Sequence, residues 1–374
     1  MTVAKGEDMK IMFCGGGTAG HITPGVAIAE HIRNTRPTAE ILFVGREGGA
    51  ENSIITKSGF ELKTLKIRGF ERKINFKNFK TAFLAAASLK TARKIIKDFS
   101  PDAVIGTGGY VSWPIIRVAQ SLKIPTLIHE SNACPGLVTK MLSKRCTRVL
   151  LNLSGSEKEF KKQDNIRIVG NPVREKFLTA NREAARKKLG ISKKELLIAS
   201  FGGSGGSEKL NEAIINVMKN HSEKNKNLRH IHSCGRKYFS DIKNKYPELT
   251  LGKNGCVIKP YIDDMATLIS AADIIVSRCG AMTLGEICAV GAAAILIPSP
   301  NVTSNHQYKN AKLICDGGAG IMIEESHLCE KSLIAVLCEL EAMPGKRKEM
   351  ADKIKGIYIK NSREMIAEEI FSLF

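Results

Sequence analysis

Two short apolar runs, each emptying into a cluster of glycines, set the frame for this chain. Lys10–Cys14 is followed by Gly15, Gly16, Gly17, Thr18, Ala19 and Gly20, and Leu196–Phe201 by Gly202, Gly203, Ser204, Gly205 and Gly206. Apolar runs this short read as strands buried on both faces. Glycines directly after them, then a helical pattern, mark the strand–turn–helix unit that opens a Rossmann-like fold. The two units begin similar-sized halves of a 374-residue chain, and at roughly 150 residues per domain two domains are expected.

The alternation continues through both halves. Glu40–Val44, Ala103–Ile105 and Pro125–Ile128, then His230–Ser233, Ala272–Ser277 and Ala294–Pro298, read as further buried strands separated by helical stretches. The expected class is α/β, with two Rossmann-like domains and parallel sheets. Asn171-Pro172-Val173 breaks regular structure, so the boundary is expected there, giving domains 1–171 and 172–374. The last helical stretch, Lys346–Phe374, could pack on either domain, the N-terminal one included.

Composition removes several classes. With 43% hydrophobic and 25% charged residues the chain is not of a disordered type. No apolar run approaches the roughly 20 residues that span a bilayer, and Met1–Lys10 lacks the apolar core of a signal peptide. Neither an integral membrane protein nor a secreted one is expected. The ten cysteines include no CxxC pair and read as small core hydrophobes. His230 and His232 form an HxH with no third ligand nearby in sequence, so metal binding there is not expected.

The net charge of +20 calls for an anionic partner. Between Lys63 and Lys97 stand eleven Lys/Arg and one acid, Glu71, which is half of the excess. Phe76, Phe79 and Phe83 share one helical stripe there, with Lys73, Lys77 and Lys80 interleaved. Aromatics that insert shallowly beside lysines that meet headgroups make an interfacial anchor on an anionic membrane surface. The competing reading is an aromatic face turned to the core. Nucleic acid is not expected, because no nucleic-acid motif accompanies the charge.

Candidate site residues cluster after the strands. The Gly15–Gly20 loop fits close backbone approach to an anion. His21 follows it at a helix start, where the imidazolium is disfavoured and neutral imidazole can act as a base; a histidine filling a polar pocket is an equal alternative. Arg46, at the end of the second strand, would suit a 2′-phosphate, which keeps an NADP oxidoreductase open as a second reading. In the second half, Ala281, Met282, Thr283, Leu284 and Gly285 lead into Glu286 at a helix start. Amides of residues 281–284 can hold a diphosphate and Glu286 can accept from ribose hydroxyls, without any Walker lysine. Gly106–Tyr110, His129–Asn132 and Asn305–Ala311 also follow strands, where α/β ligands bind.

Eight of these motifs stand in one family's order. They are Gly16–His21, Gly106–Ser112, His129–Asn132, Asn171–Arg174, Gly202–Ser204, Tyr261–Met265, Ala281–Glu286 and Gln307–Ala311. The chain resembles the MurG family, which transfers N-acetylglucosamine from UDP-N-acetylglucosamine to lipid I, making lipid II. The resemblance runs from about residue 9 to the C-terminus. It implies a GT-B fold, two Rossmann-like domains facing across a cleft, and an inverting mechanism at the cytoplasmic face of the inner membrane. It implies donor-sugar contacts at Thr18, Ala19, Gly20 and Asn132, and UDP contacts at Arg174, Ser204, Ile262, Ala281 to Glu286, and Gln307. Ala19, Gly205, Trp113 and Ser131 depart from the family's usual residues. His21 is the expected base, with Glu130 as alternative base or orienting partner. No cofactor and no metal are expected; Asp263-Asp264 belong to a family motif and form no Asp-x-Asp pair.

Overall fold

The computed structural model describes residues 9–49, 52–69, 76–161 and 163–374, with only the backbone for residues 19, 76–83, 85 and 253. The chain forms two compact units. The first is Met1–Pro172 with Asn361–Phe374, and the second is Val173–Lys360.

The first unit holds a seven-stranded sheet: β1 Lys10–Cys14, β2 Glu40–Arg46, β3 Glu61–Leu65, β4 Ala103–Gly106, β5 Thr126–Glu130, β6 Arg148–Leu151 and β7 Ile166–Ile168. The order is β3-β2-β1-β4-β5-β6-β7, and every pairing is parallel. Phe13 lies opposite Phe43 on one side and Ile105 on the other. Because alternate side chains point to opposite faces, each strand feeds two cores. Met12, Cys14, Val104, Ile128 and Val149 pack with Ala92, Ile96, Ile115 and Ile116 from helices on one face. Ile11, Phe13, Phe43, Ile105 and Leu127 pack on the other with Ile28 and Ile32.

The second unit repeats the plan: β8 Leu196–Phe201, β9 Leu228–Ser233, β10 Cys256–Lys259, β11 Ile274–Ser277, β12 Ala293–Leu296 and β13 Ile321–Met322. Its order is β10-β9-β8-β11-β12-β13, again parallel throughout. The carboxyl ends of all strands in a sheet therefore lie at one end.

The stretch Lys346–Phe374 divides. Helix Pro344–Ile357 belongs to the second unit and packs on helix Ala281–Val290 and on β12. Helix Ser362–Phe371 returns to the first unit, where Ile366, Ala367 and Ile370 join the core beneath helix Ala19–Thr35. Arg148 and Glu369 fasten it at 2.9 Å. Seven of the ten cysteines are buried and all are free thiols.

His230 and His232 are fully buried on β9. Residues two apart on a strand share a face, and the Ser200 hydroxyl of neighbouring β8 bridges them, at 2.9 Å to His230 Nε2 and 2.8 Å to His232 Nδ1. Ser222 and Asn211 take the outer nitrogens at 3.1 and 3.0 Å. Burial drives both imidazoles toward the neutral form: His232 is held down at about 4 and His230 well below its ordinary value. The unfolded chain therefore binds protons that the folded unit refuses, so stability is intact above about pH 6.5 and falls as pH drops toward 4. Between pH 7 and pH 5 the loss from His232 should be about 2 kcal/mol, read as a lower urea midpoint for the second unit. An undiminished pH slope in His232→Gln would assign the acid sensitivity to other groups.

Candidate functional site

In the first unit the carboxyl ends of β1, β4 and β5 each carry a loop. The loop after β1 runs through Gly15–Gly17 to Thr18, the N-cap of helix Ala19–Thr35, whose side chain makes no capping bond. His21 sits in the first turn, its amide donating to Thr18 O at 3.1 Å. Thr107, just past β4, donates its hydroxyl to the His21 carbonyl. The imidazole lies against the loop after β4. A Cβ on Gly108 would stand 2.6 Å from His21 Nδ1, and one on Gly109 would stand 2.0 Å from Gly16 O. Both glycines have positive φ, 105° and 77°, a conformation costly for other residues. The two glycine loops thus touch, with His21 seated against them.

The loop after β5 is organised around Glu130. This carboxylate is 5% exposed. Its Oε1 accepts from Asn132 N at 3.1 Å and Asn132 Nδ2 at 3.0 Å, and its Oε2 from Gly136 N at 3.0 Å and Thr139 Oγ1 at 2.8 Å. Three of these bonds come from the loop that Glu130 begins and the fourth from Thr139, in helix Leu137–Ser143 directly after it. β5 lies two strands from β1, roughly 10 Å at ordinary sheet spacing. Its neighbour His129 is fully buried and bonds Gly170 O through Nε2 at 2.9 Å; burial holds it below its ordinary value.

In the second unit, β8 ends in Gly202–Gly206, with Ser204 exposed at its tip. β11 ends in the turn Arg278-Cys279-Gly280 and helix Ala281–Val290, whose N-cap is Gly280. Having no side chain, Gly280 makes no side-chain cap for that helix. Glu286 lies one turn further on, 8% exposed, and Arg174 Nη2 donates to its Oε1 at 2.8 Å. Burial pushes the Glu286 carboxyl up, while Arg174 and then Lys176 pull it back. Gln307 turns its carbonyl inward, accepting from Cys279 N at 3.2 Å and Ser299 N at 2.9 Å. Asn310 donates to Cys279 O at 3.2 Å. Helix His306–Asp316 thereby holds the 279 turn by both backbone polar groups of one residue. Ile262 is half-buried after β10, packed on the core. A pocket of about 320 Å³ opens beyond β12 and β13, with Lys209, Asn305, Tyr308 and Glu325 in its wall.

The comparisons with known proteins agree. The glycosyltransferase family 28 N-terminal domain matches residues 11–151 and the glycosyltransferase family 28 C-terminal domain matches residues 197–370. A protein of Acetivibrio thermocellus is 42% identical, covering 97% of each chain, and one of Clostridioides difficile is 41% identical over 98% of this chain and 89% of its own. Both are UDP-N-acetylglucosamine–N-acetylmuramyl-(pentapeptide) pyrophosphoryl-undecaprenol N-acetylglucosamine transferases. The chain belongs to the MurG family. The crystal structure of Acinetobacter baumannii MurG superposes with a TM-score of 0.74 at 25% identity, covering 98% of this chain and 100% of that one. The fold is the GT-B fold of two Rossmann-like domains. Membership in MurG sets aside the oxidoreductase reading of the first glycine loop and Arg46.

Against that family frame, the first unit gathers Thr18, Ala19, Gly20, His21, Glu130 and Asn132 at the carboxyl ends of β1 and β5. The second unit gathers Ser204, Ala281–Glu286 and Gln307 at those of β8, β11 and β12, with Arg174 brought in by its bond to Glu286. Sequence reasoning missed that pairing and Thr139, and it gave no role to Arg278 or Asn310, although both stand in segments it singled out. Asp264 is spent as a helix cap: it accepts from Thr267 N at 3.2 Å and pairs with Lys188 at 2.6 Å, which with Thr267 lowers it to about 2. Lys73 lies outside the described residues; Phe76, Lys77, Phe79, Lys80 and Phe83 have a described backbone, in helix Phe76–Phe99, but their side chains lie outside the description. Among the described residues no helix is long and apolar enough to cross a membrane.

Glu130→Gln should loosen the 131–139 loop. The amide's NH2 would face donors that the carboxylate accepts, at a cost of roughly 1–3 kcal/mol for an unmet buried group. Hydrogen exchange at Asn132 and Gly136 should speed up in the variant, while strand amides of β5 stay protected. Unchanged exchange at both positions would mean that the carboxylate does not hold the loop.

Proposed function

We infer that the chain moves N-acetylglucosamine from UDP-N-acetylglucosamine to the C4 hydroxyl of the muramic acid sugar of undecaprenyl-pyrophosphoryl-MurNAc-pentapeptide, converting lipid I to lipid II in peptidoglycan synthesis. The observation that carries this is near full-length identity of 41–42% to enzymes of that name. The enzyme is a UDP-N-acetylglucosamine-dependent inverting glycosyltransferase. The acceptor hydroxyl attacks the anomeric carbon as the bond to UDP breaks, through an oxocarbenium-like transition state, and an α-linked donor gives a β-linked product. Single displacement needs one base and no covalent sugar–enzyme intermediate, as in inverting glycosidases.

The second unit serves as the donor domain in this reading. Amides opening helix Ala281–Val290, with Ser204, would meet the diphosphate and stabilise charge on departing UDP. Glu286 would take the ribose hydroxyls, oriented by Arg174. The first unit serves as the acceptor domain, where His21 takes the hydroxyl proton. Glu130 orders the loop bearing Asn132, since its own oxygens are taken up by residues 132–139. His21→Ala should lower turnover by roughly 10²–10⁴ with UDP affinity unchanged, whereas Glu286→Ala should weaken UDP binding by roughly 1–3 kcal/mol. Turnover assays and calorimetric titration with UDP separate the two. Retained activity in His21→Ala beside a dead Glu130→Gln would exchange the roles.

A lipid acceptor brings the reaction to a membrane surface, the cytoplasmic face of the inner membrane in this reading. Helix Phe76–Phe99 docks on the core through Ser88, Ala92 and Ile96. At about 100° per residue, positions 76, 79 and 83 fall on the opposite side of the helix. Exposed Lys63, Lys66, Arg68, Lys90, Arg93, Lys94 and Lys97 belong to the same segment. Sedimentation with anionic vesicles should fall for Phe76→Ser/Phe79→Ser/Phe83→Ser and for Lys73→Glu/Lys77→Glu/Lys80→Glu. Wild-type sedimentation of both would remove the segment as the anchor.

A further inference from the structure

One buried guanidinium joins four loops of the second unit. Arg278 is 7% exposed and follows the last residue of β11. Its Nη1 donates to Ile297 O, just past β12, at 3.2 Å. Its Nη2 donates to the Ser207 hydroxyl at the end of the Gly202–Gly206 loop, and to the Glu325 carboxylate beyond β13. The strands concerned, β8, β11, β12 and β13, are consecutive in the sheet, so one side chain ties four neighbouring strand ends. Glu325 is itself largely buried, with a side chain 13% exposed, and supplies the counter-charge that a buried arginine requires.

Ser207 is the N-cap of helix Glu208–Asn220, yet it makes no capping bond. Serine is among the strongest capping residues. Its hydroxyl is drawn to Arg278 instead, so no side chain caps the helix's opening amides. The glycine loop is closed onto the same point: a Cβ on Gly202 would stand 2.7 Å from Ser207 N, and one on Gly206 would stand 2.1 Å from Cys234 O. The neighbouring turn is fixed from its far side by Gln307 and Asn310. Arg278 is the covalent neighbour of that turn and the hydrogen-bonded neighbour of the loop.

We propose that Arg278, neutralised by Glu325, is a positioning residue that sets the spacing between the Gly202–Gly206 loop and the opening of helix Ala281–Val290, the two elements that meet the diphosphate of the nucleotide in the donor reading. The inference rests on the donor-domain reading above. It bears on a diphosphate in particular, because a ligand that reaches both elements is held only when their spacing matches it, whereas a monophosphate can settle on one of them. Nothing in it places Arg278 on the ligand, since its guanidinium is spent on protein partners.

The test is calorimetric titration of the full chain with UDP and with UMP. Arg278→Met and Glu325→Gln should each lower UDP affinity tenfold or more while UMP affinity stays within about twofold, so that the UDP-to-UMP preference collapses. Arg278→Lys, which keeps a charge able to hold Glu325, should restore part of that preference. Amides of Gly203–Gly206 should exchange faster in Glu325→Gln. Glu325→Gln leaves the packing volume intact and carries the test if Arg278→Met does not fold. An unchanged UDP-to-UMP preference in Glu325→Gln, or equal weakening of both nucleotides, would overturn the inference and leave the donor reading standing. Wild-type protein that binds neither nucleotide would overturn the donor reading itself.

Discussion

Parallel strand pairing governs everything that follows in this molecule. A parallel strand cannot be joined to its neighbour by a tight hairpin; the chain must cross back over a face of the sheet, usually as a helix. Each sheet is thereby covered on both faces, which is why Met12 and Phe13, adjacent in β1, serve two different cores. The same rule sends every strand in one direction and collects the loops after β1, β4 and β5, or after β8, β11 and β12, at one end. Residues far apart in sequence become neighbours there without any need for local attraction between them. His21 against Gly108 and Gln307 against Cys279 are products of this rule.

At those loop ends most polar side chains are spent on the protein. Glu130 receives four hydrogen bonds from residues 132–139, Gln307 accepts from two backbone amides, and Arg278 binds three partners. A motif residue so engaged contributes by fixing backbone, and its loss costs geometry before chemistry. This division explains how glycine-rich loops, flexible by composition, can present amides in a fixed pattern: the glycines permit close approach and the spent side chains remove the freedom.

What the sequence made legible follows burial. β8 and β1 are continuous apolar runs and stand at the positions expected from Leu196–Phe201 and Lys10–Cys14. The short strands β6 and β7 and the sheet-edge strands β3, β10 and β13 carry a weaker signal. β3 reads Glu-Leu-Lys-Thr-Leu and is largely exposed, while β13 has two residues. The glycine loops and the 281–286 turn were legible because their chemistry is local. The Arg174–Glu286 bond joins residues 112 apart, and the Arg278–Glu325 pair becomes visible only when β11 and β13 are set on either side of β12. The break between helices Pro344–Ile357 and Ser362–Phe371 carries no glycine or proline, and its one mark, Asn361 at the N-cap, starts a helix without saying on which unit that helix packs.

Helix capping ties these observations together. A capping oxygen and a ligand phosphate compete for the same amides in the first turn of a helix, so a helix that is to meet an anion must not cap itself. Helices Arg182–Leu189, Met265–Ala271 and Glu330–Ala342 are capped by the side chains of Asn181, Asp264 and Cys329. Helices Ala19–Thr35, Glu208–Asn220 and Ala281–Val290 follow the glycine loops and the 279 turn and receive no side-chain cap, a trait they share with helices away from those loops such as Arg236–Lys245 and Pro344–Ile357, so it permits anion binding without marking it. The third achieves this with Gly280, which has nothing to cap with. The second carries a serine whose hydroxyl accepts from Arg278 and makes no capping bond. A residue type favourable for helix stability is thus kept at the loop's end, with its oxygen turned to a buried charge at the end of the neighbouring strand β11.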